Sequence, residues 1–332
     1  MKFFEGRSDC PRGTTNERKA TMNESTRLEF LKGTAWMGLA ATAVGCRLGR
    51  TGVGDEAAKG GEEARLVFLG TSHGAVRPTR FCSCTMLQYG GRNYLVDAAD
   101  GAAGRVRGTG IQFWDLSAVF ITHPHSDHLG GVPQLLDQYM FSYRCYAGEA
   151  PKNKGELRVY FPGEDVLAQH RTLLNSPLTG GKYRMGDSEM LKAYAPGTFF
   201  DDGNIRVTAY GNDHMERRAD GTQRAHSFLV ELSNGRRIYF SGDLSGSYDL
   251  PLDPFKDGKK VDLLVSELVH YPIACAVKRL SGQPIGRIVF QHYGDDWEAG
   301  HPGRDERFED FRRQLGIPAE IVTDLDIRYV DD

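Results

Sequence analysis

The sequence lacks several features that would assign it to a broad functional class. Its six cysteines include no Cys-x-x-Cys pair and suggest no disulfide framework. Its basic residues are dispersed and its formal net charge is -3, so it shows no electrostatic footprint for nucleic acid. No internal repeat is visible, and no serine or cysteine lies in a pattern typical of a nucleophile with its base. A hydrophobic content of 40% still allows one well-buried domain or two small ones.

The densest group of reactive side chains is the segment Thr122-His123-Pro124-His125-Ser126-Asp127-His128. It follows a short apolar run that predicts a buried strand, and it precedes a turn that leads into a helix. Imidazole nitrogen and carboxylate oxygen are ligands that suit zinc and its first-row neighbours. Strand-like alternation puts two histidines and the aspartate on one side and turns the last histidine elsewhere. The segment therefore predicts a site for two adjacent metals, with a histidine-rich polar loop as the alternative.

The first 63 residues are predicted to lie outside the fold. A basic stretch, a weakly apolar run over residues 33–44 and small residues before Cys46 are typical of an export leader with a lipoprotein signal. The run is too short to span a bilayer as a permanent helix. We therefore divide the chain into a leader over residues 1–46, with Met22 as its natural start, a flexible linker over 47–63 and a hydrolase domain over 64–332. An amphipathic N-terminal helix of a cytoplasmic protein is the alternative.

The remaining sequence alternates short predicted strands with helices, and several strands end in His, Asp or Glu. This pattern predicts an α+β fold, an αββα sandwich of two packed mixed β-sheets flanked by helices, with a site along one edge. Residues 175–200 show no clear period, and we interpret them as an insertion near the mouth of that site.

The order His-x-His-x-Asp-His in this segment is the signature of the metallo-β-lactamase superfamily. From about residue 65 to 325 the chain resembles the ribonuclease Z-like branch, most clearly in Leu69-Gly70-Thr71, Pro78, Tyr239-Phe240-Ser241-Gly242-Asp243 and Asp262 to Glu267. The resemblance implies the metallo-β-lactamase fold and a metal-dependent hydrolase of the phosphodiesterase type.

The resemblance also implies the site. It assigns two divalent ions, zinc first with manganese or iron as alternatives, to seven ligands: His123, His125 and His214 for one ion, Asp127, His128 and His292 for the other, and Asp243 between them. It further implies that Asp97 orients the cluster loop without binding metal.

Three residues carry further expectations. His226 competes with His214, because either could end a strand of the same hairpin; we prefer His214, which directly follows a strand, and expect His226 to line the pocket. Asp127 is expected to orient a metal-bridging hydroxide while it ligates. The resemblance places the turn that holds His73 beside the metal centre, so His73 is expected to donate a hydrogen bond or a proton to substrate, with a solvent-facing turn histidine as the alternative.

The expected function is an exported, periplasmic or membrane-anchored dinuclear zinc hydrolase that acts on a phosphodiester or another small ester. The alternatives are a β-lactamase- or lactonase-type ring-opening hydrolase and a non-catalytic metal-binding lipoprotein. Pre-tRNA processing is disfavoured, because no tRNA-clamping arm is visible and a leader would take the chain out of the cytoplasm. The expected partner is a small-molecule substrate and no nucleic acid, with membrane contact only through an N-terminal lipid anchor. A homodimer remains open.

The export leader gives a first prediction. A reporter fused to residues 22–63 should leave the cytoplasm, and Cys46→Ala should release it from the membrane, because lipid attachment needs that cysteine. Cell fractionation measures both outcomes, with Thr42→Ala in the same apolar run as the control. A reporter that stays soluble in the cytoplasm would exclude the leader.

Overall fold

Two seven-stranded mixed β-sheets face each other in the computed structural model, with helices on both outer faces. The structure describes residues 63–75, 77–146, 156–176 and 185–331, and only the backbone of 143–146. The predicted leader and all but the last residue of the predicted linker lie outside these ranges. Among the described residues, no helix is long and apolar enough to cross a bilayer.

The first sheet combines antiparallel hairpins with a parallel half. Its strands, in spatial order, are β14 (Ile327–Tyr329), β1 (Arg65–Gly70), β2 (Cys84–Tyr89), β3 (Arg92–Val96), β4 (Leu116–Phe120), β5 (Arg158–Pro162) and β6 (Leu191–Tyr194). Strands β3 to β6 run parallel, so their carboxyl ends lie along one edge of the sheet.

The second sheet has the same plan. Its strands, in spatial order, are β13 (Ala319–Ile321), β12 (Ile285–Tyr293), β11 (Val261–Leu268), β10 (Arg237–Phe240), β9 (Ala225–Leu232), β8 (Ile205–Asn212) and β7 (Gly197–Asp201). Strands β10 to β13 are parallel. Strand β9 is antiparallel to both β10 and β8, so the carboxyl end of β8 meets the same edge.

Helices cover the sheets on both sides. They are α1 (Ala102–Gly108), α2 (Ser126–Leu129), α3 (Val132–Tyr146), α4 (Glu164–Asn175), α5 (Ile273–Leu280) and α6 (Arg304–Leu315), with 3-10 turns at Phe113–Asp115, Asp253–Phe255 and Asp295–Trp297. Helices α1, α3 and α4 pack on the first sheet, and α5 and α6 pack on the second.

Strand β4 shows why the sequence folds in layers. Val119 and Ile121 point into the core beneath the helices, whereas Ala118 and Phe120 point into the core between the sheets. A strand buried on both faces needs a continuous apolar run, and that run precedes the histidine cluster. Burial of each large side chain contributes about 1.5–3 kcal/mol, which fixes the strand and hence the loop after it.

The predicted sandwich is confirmed, but one segment differs from the prediction. Residues 185–200 are not an irregular insertion, because they contain β6 and part of β7. Strand β6 pairs with β5 at the edge of the first sheet, and β7 pairs with β8 at the edge of the second. Residues 177–184 lie outside the described part of the chain. The pattern was missed because both strands are short and partly exposed, so they show little alternation.

Candidate metal centre

The predicted ligands meet at the edge where the parallel strands of both sheets end. Two groups of side chains each offer ligand atoms within 4.8 Å of one another, and they share one carboxylate: His123, His125, His214 and Asp243 in the first, and Asp127, His128, Asp243 and His292 in the second. The first sheet supplies the cluster loop after β4. The second sheet supplies the residues after β8, after β10 and within β12. The described residues of this centre could hold a metal ion.

Asp243 lies at the middle of the centre and is 3% exposed. Its Oδ2 is 3.2 Å from His292 Nε2 and 3.3 Å from His128 Nε2. The same oxygen is 3.7 Å from the Nε2 atoms of His123 and His214. Burial alone would raise the pKa of Asp243, but the charges of His128 and His292 hold it well below its ordinary value.

Gly242 allows Asp243 to reach this position. Its φ of 59° is left-handed, and a Cβ at this residue would lie 2.7 Å from the backbone oxygen of His226. The Ser-Gly-Asp sequence after β10 therefore needs glycine both for its backbone conformation and for its close approach to β9.

Asp97 holds the cluster loop from below. Its Oδ1 accepts hydrogen bonds from the Thr122 amide at 2.7 Å and from Thr122 Oγ1 at 3.0 Å, and its Oδ2 lies 2.7 Å from His128 Nδ1. A proton on His128 Nδ1 leaves the Nε2 lone pair free for a metal. Thr122 Oγ1 also lies 3.0 Å from His123 Nδ1, so the Nε2 atom of that ring likewise faces the centre.

Two further imidazoles are oriented by their outer nitrogens. His214 Nδ1 lies 3.1 Å from the Leu244 carbonyl, and His292 Nδ1 lies 2.7 Å from Ser83 Oγ. Both contacts direct Nε2 towards Asp243.

Asp97 and His292 also adopt left-handed backbone conformations, with φ of 61° and 52°. Such conformations are costly for these residues and persist where the surroundings fix them, often at functional sites.

The polar atoms of the centre fit a metal better than they fit one another. His128 Nε2 and Asp243 Oδ1 are buried and have no hydrogen-bond partner among the described residues. His125 Nδ1 lies 3.0 Å from His123 Nε2 and 3.2 Å from His214 Nε2, so three lone-pair atoms converge. A buried ion without compensation costs several kcal/mol. Divalent cations between these atoms would satisfy all of them.

His270 also faces the centre, although sequence analysis assigned it no role. Its Nδ1 lies 2.9 Å from Glu267 Oε1, and its Nε2 lies 3.9 Å from Asp243 Oδ2. Burial lowers the pKa of His270, but the Glu267 carboxylate raises it above its ordinary value overall. The signal was available, because Glu267 ends a predicted strand and His270 follows three residues later.

Glu267 orients His270 rather than binding metal, although it lies within ligand distance of Asp243 and His270. Its Oε1 accepts hydrogen bonds from the Leu244 amide and from His270, and its Oε2 accepts the amides of Val269 and His270. Each oxygen already accepts two hydrogen bonds, so little capacity remains for a cation.

His226 does not line the site, which corrects the expectation from sequence. It is 1% exposed on β9, where its Nδ1 lies 3.2 Å from Tyr194 Oη and its amide donates to the Thr122 carbonyl at 3.1 Å. Burial lowers its pKa to about 4, so the ring is neutral at pH 7. Its side chain points between the sheets because it shares the face of Phe228, whereas His214 follows β8 and reaches the edge.

His73 lies in the loop after β1, and this loop touches the centre. A Cβ at Gly74 would lie 3.2 Å from Asp127 Oδ2, so the backbone beside His73 packs against that carboxylate. Within the described chain, the His73 imidazole makes no hydrogen bond or ion pair. The catalytic role predicted for His73 therefore stays a prediction.

Both ends of this loop are anchored by Asp324. Its Oδ1 accepts the Thr71 amide and hydroxyl at 2.9 and 2.8 Å, and its Oδ2 accepts the Phe81 amide at 2.8 Å. Arg105 completes the anchor with an ion pair of 2.6 Å. Arg80, 2% exposed, ties the loop to the end of β12 by donating to the Tyr293 carbonyl at 3.0 Å.

Comparison with known proteins gives one family. The sequence profile described as "Metallo-beta-lactamase superfamily" matches residues 77–322. Ribonuclease Z of Archaeoglobus fulgidus is 23% identical over 284 residues, which cover 81% of this chain and 89% of the relative. Ribonuclease Z of Clostridium beijerinckii is 38% identical over 71 residues, and that of Pseudomonas putida is 44% identical over 73. Each of these two alignments covers only 21% of this chain and 23% of the relative.

Solved structures share the fold. The metallo-beta-lactamase fold protein YhfI from Bacillus subtilis matches with a TM-score of 0.60 and 16% identity over 81% of this chain and 100% of its own. Human tRNase Z, short form, gives a TM-score of 0.56 and 19% identity over 80% and 98%. A diphosphatase from the PhnP family gives 0.54 and 16% over 80% and 97%.

These relatives overturn one expectation. A small-molecule substrate with no nucleic acid was predicted, and that prediction is wrong, because a relative that aligns along most of the chain is a ribonuclease and a structural neighbour is a tRNase. The error arose partly from the predicted leader and the missing tRNA-clamping arm. It arose also from the net charge of -3, which describes the field of the whole molecule and not the group that a site accepts.

The state of His128 gives a testable prediction. Burial lowers the pKa of His128, but Asp243 and Asp97 raise it well above its ordinary value overall. The metal-free ring is therefore protonated on both nitrogens and charged at pH 7. A metal must displace that proton, so zinc binding should release about one proton from His128 and tighten as pH rises. Calorimetry in buffers of different ionisation enthalpy measures the release.

Asp97→Asn is the matched variant, because asparagine tolerates the left-handed backbone and keeps an acceptor but loses the charge. It should release fewer protons on binding zinc at pH 7. Equal release from both proteins would remove the contribution assigned to Asp97.

Proposed function

The chain belongs to the metallo-β-lactamase superfamily, and on this basis we propose that it is a two-metal phosphodiesterase that cleaves RNA. The predicted family with its ribonuclease Z-like branch, and the predicted metal-dependent hydrolase, are confirmed by the profile match and the Ribonuclease Z relatives. The number of ions, the metal and the substrate belong to the proposal. The observation that carries it is the pair of ligand groups that share Asp243.

The proposed chemistry divides between the metals and the chain. When bound, two divalent ions would lower the pKa of a water to near neutrality and withdraw electrons from the phosphorus under attack through its phosphoryl oxygens. Asp127, whose side chain is 15% exposed, lies 3.6 Å from His128 Nε2 and can orient the attacking water with its free oxygen.

His270 is placed to act as the general acid. Its Nδ1 is held by Glu267, so a proton on Nε2 points towards Asp243 and the space above it. Protonation of the leaving oxygen by a positioned imidazole contributes about 10²–10⁴-fold to such reactions. Before the proton is transferred to the leaving oxygen, the Glu267 carboxylate stabilises the charged form of the His270 ring.

RNA is the proposed substrate because of the relatives, and phosphodiester chemistry because of the site. A bridging carboxylate such as Asp243 favours a two-metal hydrolase over a ring-opening β-lactamase, many of which lack it. The complete ligand set disfavours a non-catalytic metal-binding protein.

We further propose that the leader over residues 1–46 exports the enzyme, supported by the apolar run and small residues before Cys46.

Asp243→Ala tests the proposed centre. Because Asp243 touches both ligand groups, the variant should lose at least one of two zinc or manganese ions per chain and nearly all turnover. Elemental analysis gives the metal count, and the substrates are an oligoribonucleotide, its deoxy counterpart, bis-p-nitrophenyl phosphate and nitrocefin. His301→Ala, at an exposed histidine, is the control. Full metal content and activity in Asp243→Ala would refute the bridging role; cleavage of nitrocefin alone would refute the phosphodiesterase.

His270→Gln tests the general acid. The variant should lower kcat on the oligoribonucleotide by about a hundredfold or more, because an alkoxide leaving group needs a proton. It should change kcat on bis-p-nitrophenyl phosphate much less, since p-nitrophenolate leaves without one. Glu267→Gln, which keeps an acceptor oxygen, should fall between His270→Gln and the parent protein. Equal losses on both substrates would make His270 a structural residue.

A further inference from the structure

A cavity lies on the outer face of the first sheet, away from the metal centre. Its volume is about 550 Å³, and described residues of α1, α3 and the 3-10 turn before β4 line it. Ligand pockets of 300–1,000 Å³ with aromatic walls and a few polar groups hold compounds of nucleotide size. The proposed mechanism uses none of these residues.

Aromatic side chains form part of the wall. Trp114 lines the cavity and is 7% exposed, so its ring is fixed by packing. Phe141 lines the cavity from α3 and is 40% exposed, one of the few large apolar side chains at the described surface. A fixed indole and an accessible phenyl ring offer flat apolar surfaces on which a planar ring can stack.

The polar groups of the wall have spare hydrogen-bonding capacity. Ser142 is 8% exposed, and neither it nor Trp114 has a hydrogen-bond partner in the described part of the chain. The same holds for the carboxamides of Gln134 and Gln138. Gln134 is exposed, and no side-chain atom of Ser142, Trp114 or Gln138 is among the buried atoms that lack a partner, so these polar groups reach solvent and are accessible to a ligand.

The character of these groups selects the class of ligand. None of the described residues that line the cavity is acidic, so they offer a metal cation no carboxylate. Carboxamides both donate and accept hydrogen bonds, as the edges of nucleobases do. Arg107 adds one guanidinium to the wall, which suits a phosphate. We propose that this cavity binds a nucleotide unit, with its base stacked on Phe141 and Trp114 and its phosphate near Arg107.

The position of the cavity suits an auxiliary site for RNA, an extension that rests on the proposed function. Trp114 precedes β4, whereas the metal ligands follow the other end of that strand. A five-residue strand spans about 17 Å, so one nucleotide cannot occupy both sites. A longer RNA strand bound at the metal centre could place a distant nucleotide in the cavity.

Binding of adenosine 5′-monophosphate tests the cavity without requiring catalysis. The nucleotide should quench tryptophan fluorescence in the full-length protein, and Trp114→Phe should remove the change. Phe141→Ala and Gln138→Ala should weaken binding about tenfold, as loss of one stacked or paired contact does. Leu173→Ala and Gln169→Ala, at exposed positions on α4, are matched controls and should bind normally.

Separate ligands identify the group that is recognised. Adenosine alone should bind more weakly than the nucleotide but still compete with it. Competition by inorganic phosphate without competition by adenosine would overturn the base assignment. No quenching, or equal quenching in all variants, would overturn the site. A loss of self-association in Phe141→Ala, seen by sedimentation without nucleotide binding, would make this face a contact between copies and also overturn it.

Kinetics separates this inference from the proposed function. If the enzyme cleaves RNA, Phe141→Ala and Gln138→Ala should raise KM for an oligoribonucleotide about tenfold and leave kcat/KM for bis-p-nitrophenyl phosphate unchanged. Unchanged KM values would overturn the auxiliary role. If the parent protein cleaves no phosphodiester, the proposed function fails, and the binding experiment alone decides the cavity.

Discussion

A single buried carboxylate, Asp243, determines how this structure is organised. Five imidazoles from four segments of the chain place Nε2 within 3.2–3.9 Å of its Oδ2: His123, His128, His214, His270 and His292. Neither this carboxylate nor the converging lone pairs is stable in isolation, because buried polar atoms require partners. Cations would satisfy both at once, so the geometry that brings these atoms together is also what makes the centre able to hold a metal.

The sandwich is what allows distant segments to meet there. Because β3 to β6 and β10 to β13 are parallel within their sheets, their carboxyl ends share one edge. Two-sided burial fixes those strands, and residues at or just after their ends can then adopt strained backbone conformations. Asp97 and His292 illustrate this, since both are left-handed and both are held by short hydrogen bonds. The free energy gained by burying the strands thus offsets the cost of these strained backbone conformations.

How far the sequence predicts this arrangement depends on the range of the interaction. The cluster from His123 to His128 is local, so its chemistry and its place after a strand follow from the sequence. The packing of His226 beneath Thr122 depends on the register of β8 and β9, which no local pattern specifies. His270 was missed because it lies two residues beyond the end of β11 and belongs to no local motif.

The anchor at Asp324 shows why positioning is harder to predict than chemistry. It lies 253 positions from Thr71, yet it fixes both ends of the loop that packs on Asp127. The family match ends at residue 322, so this turn lies outside the region that the profile describes. Leu325 beside it has a φ of 70°, a conformation that is costly for leucine and is held by a hydrogen bond from its amide to the Phe68 carbonyl. The site of this chain is therefore shaped partly by its own C-terminal turn, and not only by the motif that supplies the ligands.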